Sequence, residues 1–118
     1  MGILYNHGPC HGIKLWQWNQ LTIELWYVPK GFEIEPHSHP AEDLELYHVW
    51  GFSRFCRMKD NALKYVDMPL WSGFKHFTVP AGWTHWFSAP ATHLVFLNVA
   101  RWKPGTKPSS ASVDFQPS

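Results

Sequence analysis

The chain has 118 residues, 17% of them aromatic, with 10 basic and 9 acidic side chains for a formal net charge of +1. That length builds a single domain able to bury roughly two thirds of its unfolded surface. Near-neutral charge with no Lys/Arg stripe argues against a nucleic-acid partner, and the absence of a spanning apolar run or a charged, cleavable start argues against a membrane role, so a cytoplasmic protein is expected.

Taken in chain order, the first segment, His7-Gly8-Pro9-Cys10-His11, sets potential soft-metal donors around a glycine and a proline and reads as an irregular loop. Trp16 and Trp18 follow on an N-terminal strand and are read as a subunit contact. Residues 21–28 run apolar or alternating and stop at Pro29-Lys30-Gly31, a turn signal. Segments 53–58, 63–66, 75–79, 84–88 and 93–99 carry β-branched or aromatic residues bounded by Gly, Pro, Asn or Asp, with Lys59-Asp60-Asn61 as a hairpin tip. No helical period stands out. Short strands at this spacing indicate an all-β antiparallel sandwich or barrel over residues 1–102. From residue 103 the composition shifts to Pro, Ser and Gly, and residues 103–118 are expected to form an extended or mobile tail with Phe115 as an anchor. Two cysteines, Cys10 and Cys56, are too few for a disulfide framework and are read as reduced thiols.

The chemistry concentrates in two places. His37-Ser38-His39 puts two imidazoles on one face of a strand, about 7 Å apart along the backbone, where both can turn toward one ion. Glu42, Asp43 and Glu45 follow closely enough for the chain to fold back and offer a carboxylate. Pro80-Ala81-Gly82-Trp83-Thr84-His85 supplies a third imidazole. Imidazoles with a carboxylate and open positions suit a catalytic metal better than a closed structural one.

The first block reads Gly31-(Phe-Glu-Ile-Glu-Pro)-His37-Ser38-His39 and closes on Gly51; the second runs from Gly73 to Pro80-Ala81-Gly82-Trp83-Thr84-His85. In this the chain resembles the cupin superfamily, whose two motifs have the forms G-x5-H-x-H-x3 or 4-E-x6-G and G-x5-P-x-G-x2-H-x3-N. The resemblance implies a double-stranded β-helix, or jelly-roll barrel, with His37, His39 and His85 as ligands of one metal. It also implies a homodimer. The departures fall at the acidic ligand and the last asparagine. Counting back from Gly51 puts Leu44 at the glutamate position, and Ala89 stands where the family has asparagine. Glu45 is placed first as the fourth ligand, then Asp43, then Glu42. A three-histidine site without a carboxylate, as in the thiol dioxygenase branch, is the further alternative.

His48 probes the register, because on a regular strand it and Glu45 face opposite ways. The register expected is the one that turns Glu45, Tyr47 and Val49 inward. Tyr47 and His48 are the catalytic candidates. One of Trp83 and Trp86, which bracket His85, is a candidate apolar wall above the metal. Tyr27 is a possible proton donor, and Arg54, Arg57 and Lys75 would orient an anionic substrate only if they entered the barrel; an outer, solvated face is expected for them. The resulting expectation is a small metal-dependent enzyme of oxidoreductase or dioxygenase type, acting on a small organic substrate through one divalent ion. Fe2+ is favoured over Zn2+, Mn2+ or Ni2+. The alternatives are a metal-dependent isomerase or lyase, or a non-catalytic cupin that binds a small molecule.

Overall fold

Alternation at period two fixes the architecture. The computed structural model describes residues 4–110 and 116–117, and all regular structure among them is β-strand. The strands are β1 (Leu4–His7), β2 (Cys10–Trp18), β3 (Leu21–Val28), β4 (His37–Ser38), β5 (Glu42–Trp50), β6 (Ser53–Lys59), β7 (Ala62–Met68), β8 (His76–Val79), β9 (Thr84–Ser88), β10 (Leu94–Trp102) and β11 (Gln116–Pro117). They form two antiparallel sheets, one in the order β1-β2-β3-β10-β5-β8 and the other β11-β4-β9-β6-β7.

Tight turns join neighbouring strands. Lys59 pairs with Ala62 across Asp60 and Asn61, which both have positive φ, the geometry that matches strand twist in a two-residue hairpin. His7-Gly8-Pro9-Cys10 is likewise a hairpin turn between β1 and β2, not an irregular loop: a positive φ at Gly8 lets His7 pair with Cys10.

The core lies between the sheets. Phe55 is fully buried and meets Phe77, Phe87 and Phe96 at ring-centroid distances of 6.0, 6.1 and 5.9 Å. On β10 the buried row is Leu94, Phe96, Asn98, Ala100 and Trp102. On β3 it is Thr22, Glu24, Trp26 and Val28, while Leu21, Ile23 and Leu25 stay half-buried on the outside. Two inward polar atoms of β3 accept indole N–H groups: Trp102 Nε1–H donates to Thr22 Oγ1 at 3.0 Å and Trp26 Nε1–H to Glu24 Oε1 at 3.1 Å. Gly12 of β2 lies directly under the Trp26 ring, where a Cβ would collide with the indole.

On β5 the buried row is Glu42, Leu44, Leu46 and His48, and Glu45, Tyr47 and Val49 are half-buried on the outer side. The expected register is therefore reversed. Leu44 and Leu46 bury apolar area opposite Ala100 and Asn98 of β10, whereas an inward Glu45 would carry a carboxylate into that core.

After Trp102, residues 103–110 are held against the barrel. Lys103 N–H donates to Ala41 O at 2.8 Å, Gln20 Nε2 donates to Lys103 O and Thr106 O, and Ser110 is buried. β11 pairs with β4, setting Pro117 beside His37. Phe115 lies outside the described residues. Among the described residues no helix is long and apolar enough to cross a membrane.

Candidate metal centre

Three imidazoles converge between the sheets. His37 on β4 pairs directly with His85 on β9, and their rings lie 4.1 Å apart. His39, two residues on, returns to the same side at 4.8 Å from His37 and 5.1 Å from His85. All three are buried, and one potential ligand nitrogen from each lies within 4.8 Å of the others. Ligands at ~2.1 Å from one ion sit ~3–4 Å apart, so ring movements of less than about an ångström would close the group onto a metal.

The surroundings suit that use. His37 Nδ1–H donates to Glu35 O at 2.8 Å, leaving Nε2 as the nitrogen for an ion. Glu42 sits behind His39, its Oε1 3.5 Å from Nδ1, the carboxylate-behind-imidazole arrangement that orients a metal ligand. Burial holds the His37 imidazolium pKa down to about 4. Burial, then the nearby His37 and His39, lower that of His85 well below the usual histidine value. Both rings are thus neutral at pH 7, the form that ligates metals.

Among the described residues no carboxylate joins the group. Glu45, placed first as the acidic ligand, stands on the outer side of β5, where Thr78 Oγ1–H donates to its Oε1 at 3.3 Å and His76 Nε2 lies 3.5 Å from Oε2. Asp43 is exposed and accepts the Ala81 N–H at 2.7 Å. Glu42 alone of the three points inward. Among the described residues the group that could hold an ion is His37, His39 and His85.

The catalytic candidates are placed elsewhere. Tyr47 packs against the His76 ring at 5.3 Å on the outer side. His48 is fully buried but engaged at both nitrogens: Nε2–H donates to Gly51 O and Nδ1 accepts from Ser72 Oγ–H, each at 2.7 Å. Among the other residues considered, Arg54 forms an exposed pair with Asp67 at 2.6 Å, and Arg57 donates to Thr78 O and lies near the Phe77 and Trp83 rings. The Tyr27 hydroxyl contacts His93 at 2.6 Å.

A cavity of about 50 Å³ opens beside the three histidines, lined further by His7, Cys10, Trp26, Ile34, Leu44, Leu46, Phe87, Phe96 and Asn98. Its aromatic wall is Trp26, Phe87 and Phe96, not Trp83 or Trp86, because the inward positions of β9 are His85 and Phe87. Burial pushes the Cys10 thiol up to about 11, so it stays protonated. Asn98, Cys10 and His7 were not anticipated as cavity residues. The clue for Asn98 was its place in the 94-96-98-100-102 row, where a lone amide interrupts apolar residues.

Comparison with solved structures places the fold in a known class. The chain has a double-stranded β-helix fold. CapF, a capsular polysaccharide assembling protein from Staphylococcus aureus, superposes with a TM-score of 0.74 over 87% of this chain at 11% identity. A double-stranded β-helix protein from Klebsiella pneumoniae gives 0.65 at 14% identity, covering 86% of this chain and 84% of its own. An oxalate oxidase gives 0.61 at 17% identity over 70% of this chain and 42% of its own. The chain spans only 31% of CapF's length. No family model and no curated protein matches the sequence.

Proposed function

We propose that this barrel is a metal-dependent oxidoreductase of dioxygenase type, acting on a small organic molecule at a divalent ion, Fe2+ first, held by His37, His39 and His85. The supporting observation is the convergence of three buried imidazoles beside a cavity, with Glu42 behind His39. A bound ferrous ion with only three protein ligands would supply redox chemistry and open positions for substrate and dioxygen. The chain's own groups do the rest: Glu42 and Glu35 O fix ring orientation, while the apolar wall excludes water from the reacting centre.

Isomerase or lyase chemistry with Zn2+, Mn2+ or Ni2+ needs a proton-transfer group. Apart from the three histidines, the titratable cavity residues among the described ones are His7 and the protonated Cys10. That sparse set favours redox over proton-transfer chemistry. Oxygen consumption by iron-loaded protein against a panel of small organic substrates tests the reading. Turnover lost in His85→Ala is expected; turnover retained by that variant would overturn it.

We also infer a homodimer. Trp16 and Trp18 are 55% and 65% exposed on β2, and beside them Leu21, Ile23 and Leu25 of β3 with Val95, Leu97 and Val99 of β10 give the outer side of this sheet an apolar surface. A second copy of the chain would cover it.

A further inference from the structure

Apart from the three histidines, the described residues that line the cavity are mostly apolar, with His7, Cys10 and the carboxamide of Asn98 as the polar ones. Asn98 on β10 is 3% exposed, lines the cavity, and its Oδ1 has no hydrogen-bond partner among the described residues. Its cross-strand neighbours are Glu24 on β3 and Leu46 on β5. Glu24 is 1% exposed; one carboxylate oxygen takes the Trp26 indole N–H, and Oε2 has no hydrogen-bond partner among the described residues. Buried amides are normally satisfied by protein or water, so an orphaned carboxamide oxygen on a residue that lines a cavity marks a place for a ligand group.

The wall also says what kind. No Lys or Arg lines the cavity. Away from the metal, an anionic group would lose its hydration without gaining a Lys or Arg counter-charge. An apolar body, by contrast, fits against Trp26, Phe87 and Phe96. The volume of about 50 Å³ is well below the ~150 Å³ cavity that holds benzene, so only a few non-hydrogen atoms fit fully inside.

We propose that Asn98 is the specificity contact of this cavity and that the ligand is a small uncharged molecule, apolar over most of its surface, ending in a neutral hydroxyl or carboxamide. The proposal rests on the cavity being the ligand site of the function proposed above. The Asn98 amide can present either its oxygen or its NH2, so it accepts from a hydroxyl or pairs with a carboxamide. Glu24 acts as a positioning residue, because its bond to Trp26 Nε1–H fixes the indole wall.

The test compares 1-propanol, propionamide and propionate, molecules of similar size and different charge. Binding is followed by NMR shifts of the Trp26 indole N–H and the Asn98 side-chain amide, in metal-loaded and in chelator-treated protein. In the chelator-treated protein, 1-propanol and propionamide are expected to shift both signals saturably and propionate to bind at least about tenfold more weakly. Asn98→Leu should weaken propionamide about tenfold or more while leaving metal content unchanged. Propionate binding as tightly as propionamide, an unchanged propionamide affinity in Asn98→Leu, or no saturable shift with propionamide would each overturn the proposal. If Asn98→Leu does not fold, the selectivity of the native protein decides alone. Because the chelated protein carries no ion, failure of the metal assignment and failure of this proposal give separate results.

Discussion

His37 carries an energetic cost that the metal would relieve. Its pKa is about 4 in the folded chain against an ordinary 6.5, so below pH 6.5 the unfolded chain binds the proton more readily and stability falls with pH. Above pH 6.5 the ring is neutral in both states and the effect is absent. Metal-free protein should therefore lose stability between pH 6.5 and 4, by on the order of 3 kcal/mol from His37 alone, in urea unfolding at a series of pH values. A flat profile across that window would contradict the burial of a neutral His37. Glu42 and Glu45 are separable on the same scale. Glu42→Gln should weaken metal binding about 10- to 100-fold by loosening His39, while Glu45→Gln, on the outer side, should leave it unchanged. His48 does a different job from the other buried histidines. His48→Ala should cost about 2–4 kcal/mol by removing the ring's buried hydrogen bonds to Gly51 O and Ser72 Oγ and opening a void, with metal content preserved.

At the scale of the elements, β5 shows where the sequence could and could not be read. Hairpin tips and strand limits were legible because Gly, Pro, Asn and Asp punctuate them: 21–28 was expected and is β3, and Asp60-Asn61 turns as expected. The two histidine blocks were legible because residues two apart share a face, and β4 and β9 bring them together. The register of β5 was not. Both of its rows hold a carboxylate and large side chains, and only the partner strands decide between them: Ala100, Asn98 and Phe96 of β10 lie opposite Leu44, Leu46 and His48. The same ambiguity hid Glu24 and Asn98, since β3 turns Thr22 and Glu24 inward and leaves Leu21, Ile23 and Leu25 half-exposed. The end of β5 is pinned by Gly51, whose φ is 113° and where a Cβ would strike the His93 carbonyl. Gly51→Ala should therefore destabilise the barrel by at least about 2 kcal/mol in denaturant unfolding. A loss below about 0.5 kcal/mol would mean that the turn relaxes.

For the whole molecule, two sheets divide the work. Their inner faces hold the aromatic core and the histidine cavity, and the outer side of the β3–β10 region carries the apolar row expected of a second-copy contact. Light scattering coupled to gel filtration should give a dimer mass for the native chain and a monomer for the double variant Trp18→Glu, Ile23→Lys, with the fold retained. A native monomer would contradict the dimer. Metal content by plasma mass spectrometry, on protein purified without an affinity tag or chelator, tests the proposed centre of His37, His39 and His85. Near-stoichiometric divalent metal is predicted for the native chain, falling at least about tenfold in His37→Ala, His39→Ala and His85→Ala while each stays folded. No metal in the native protein after reconstitution with Fe2+, Zn2+, Mn2+ or Ni2+, or full occupancy in those variants, would contradict it.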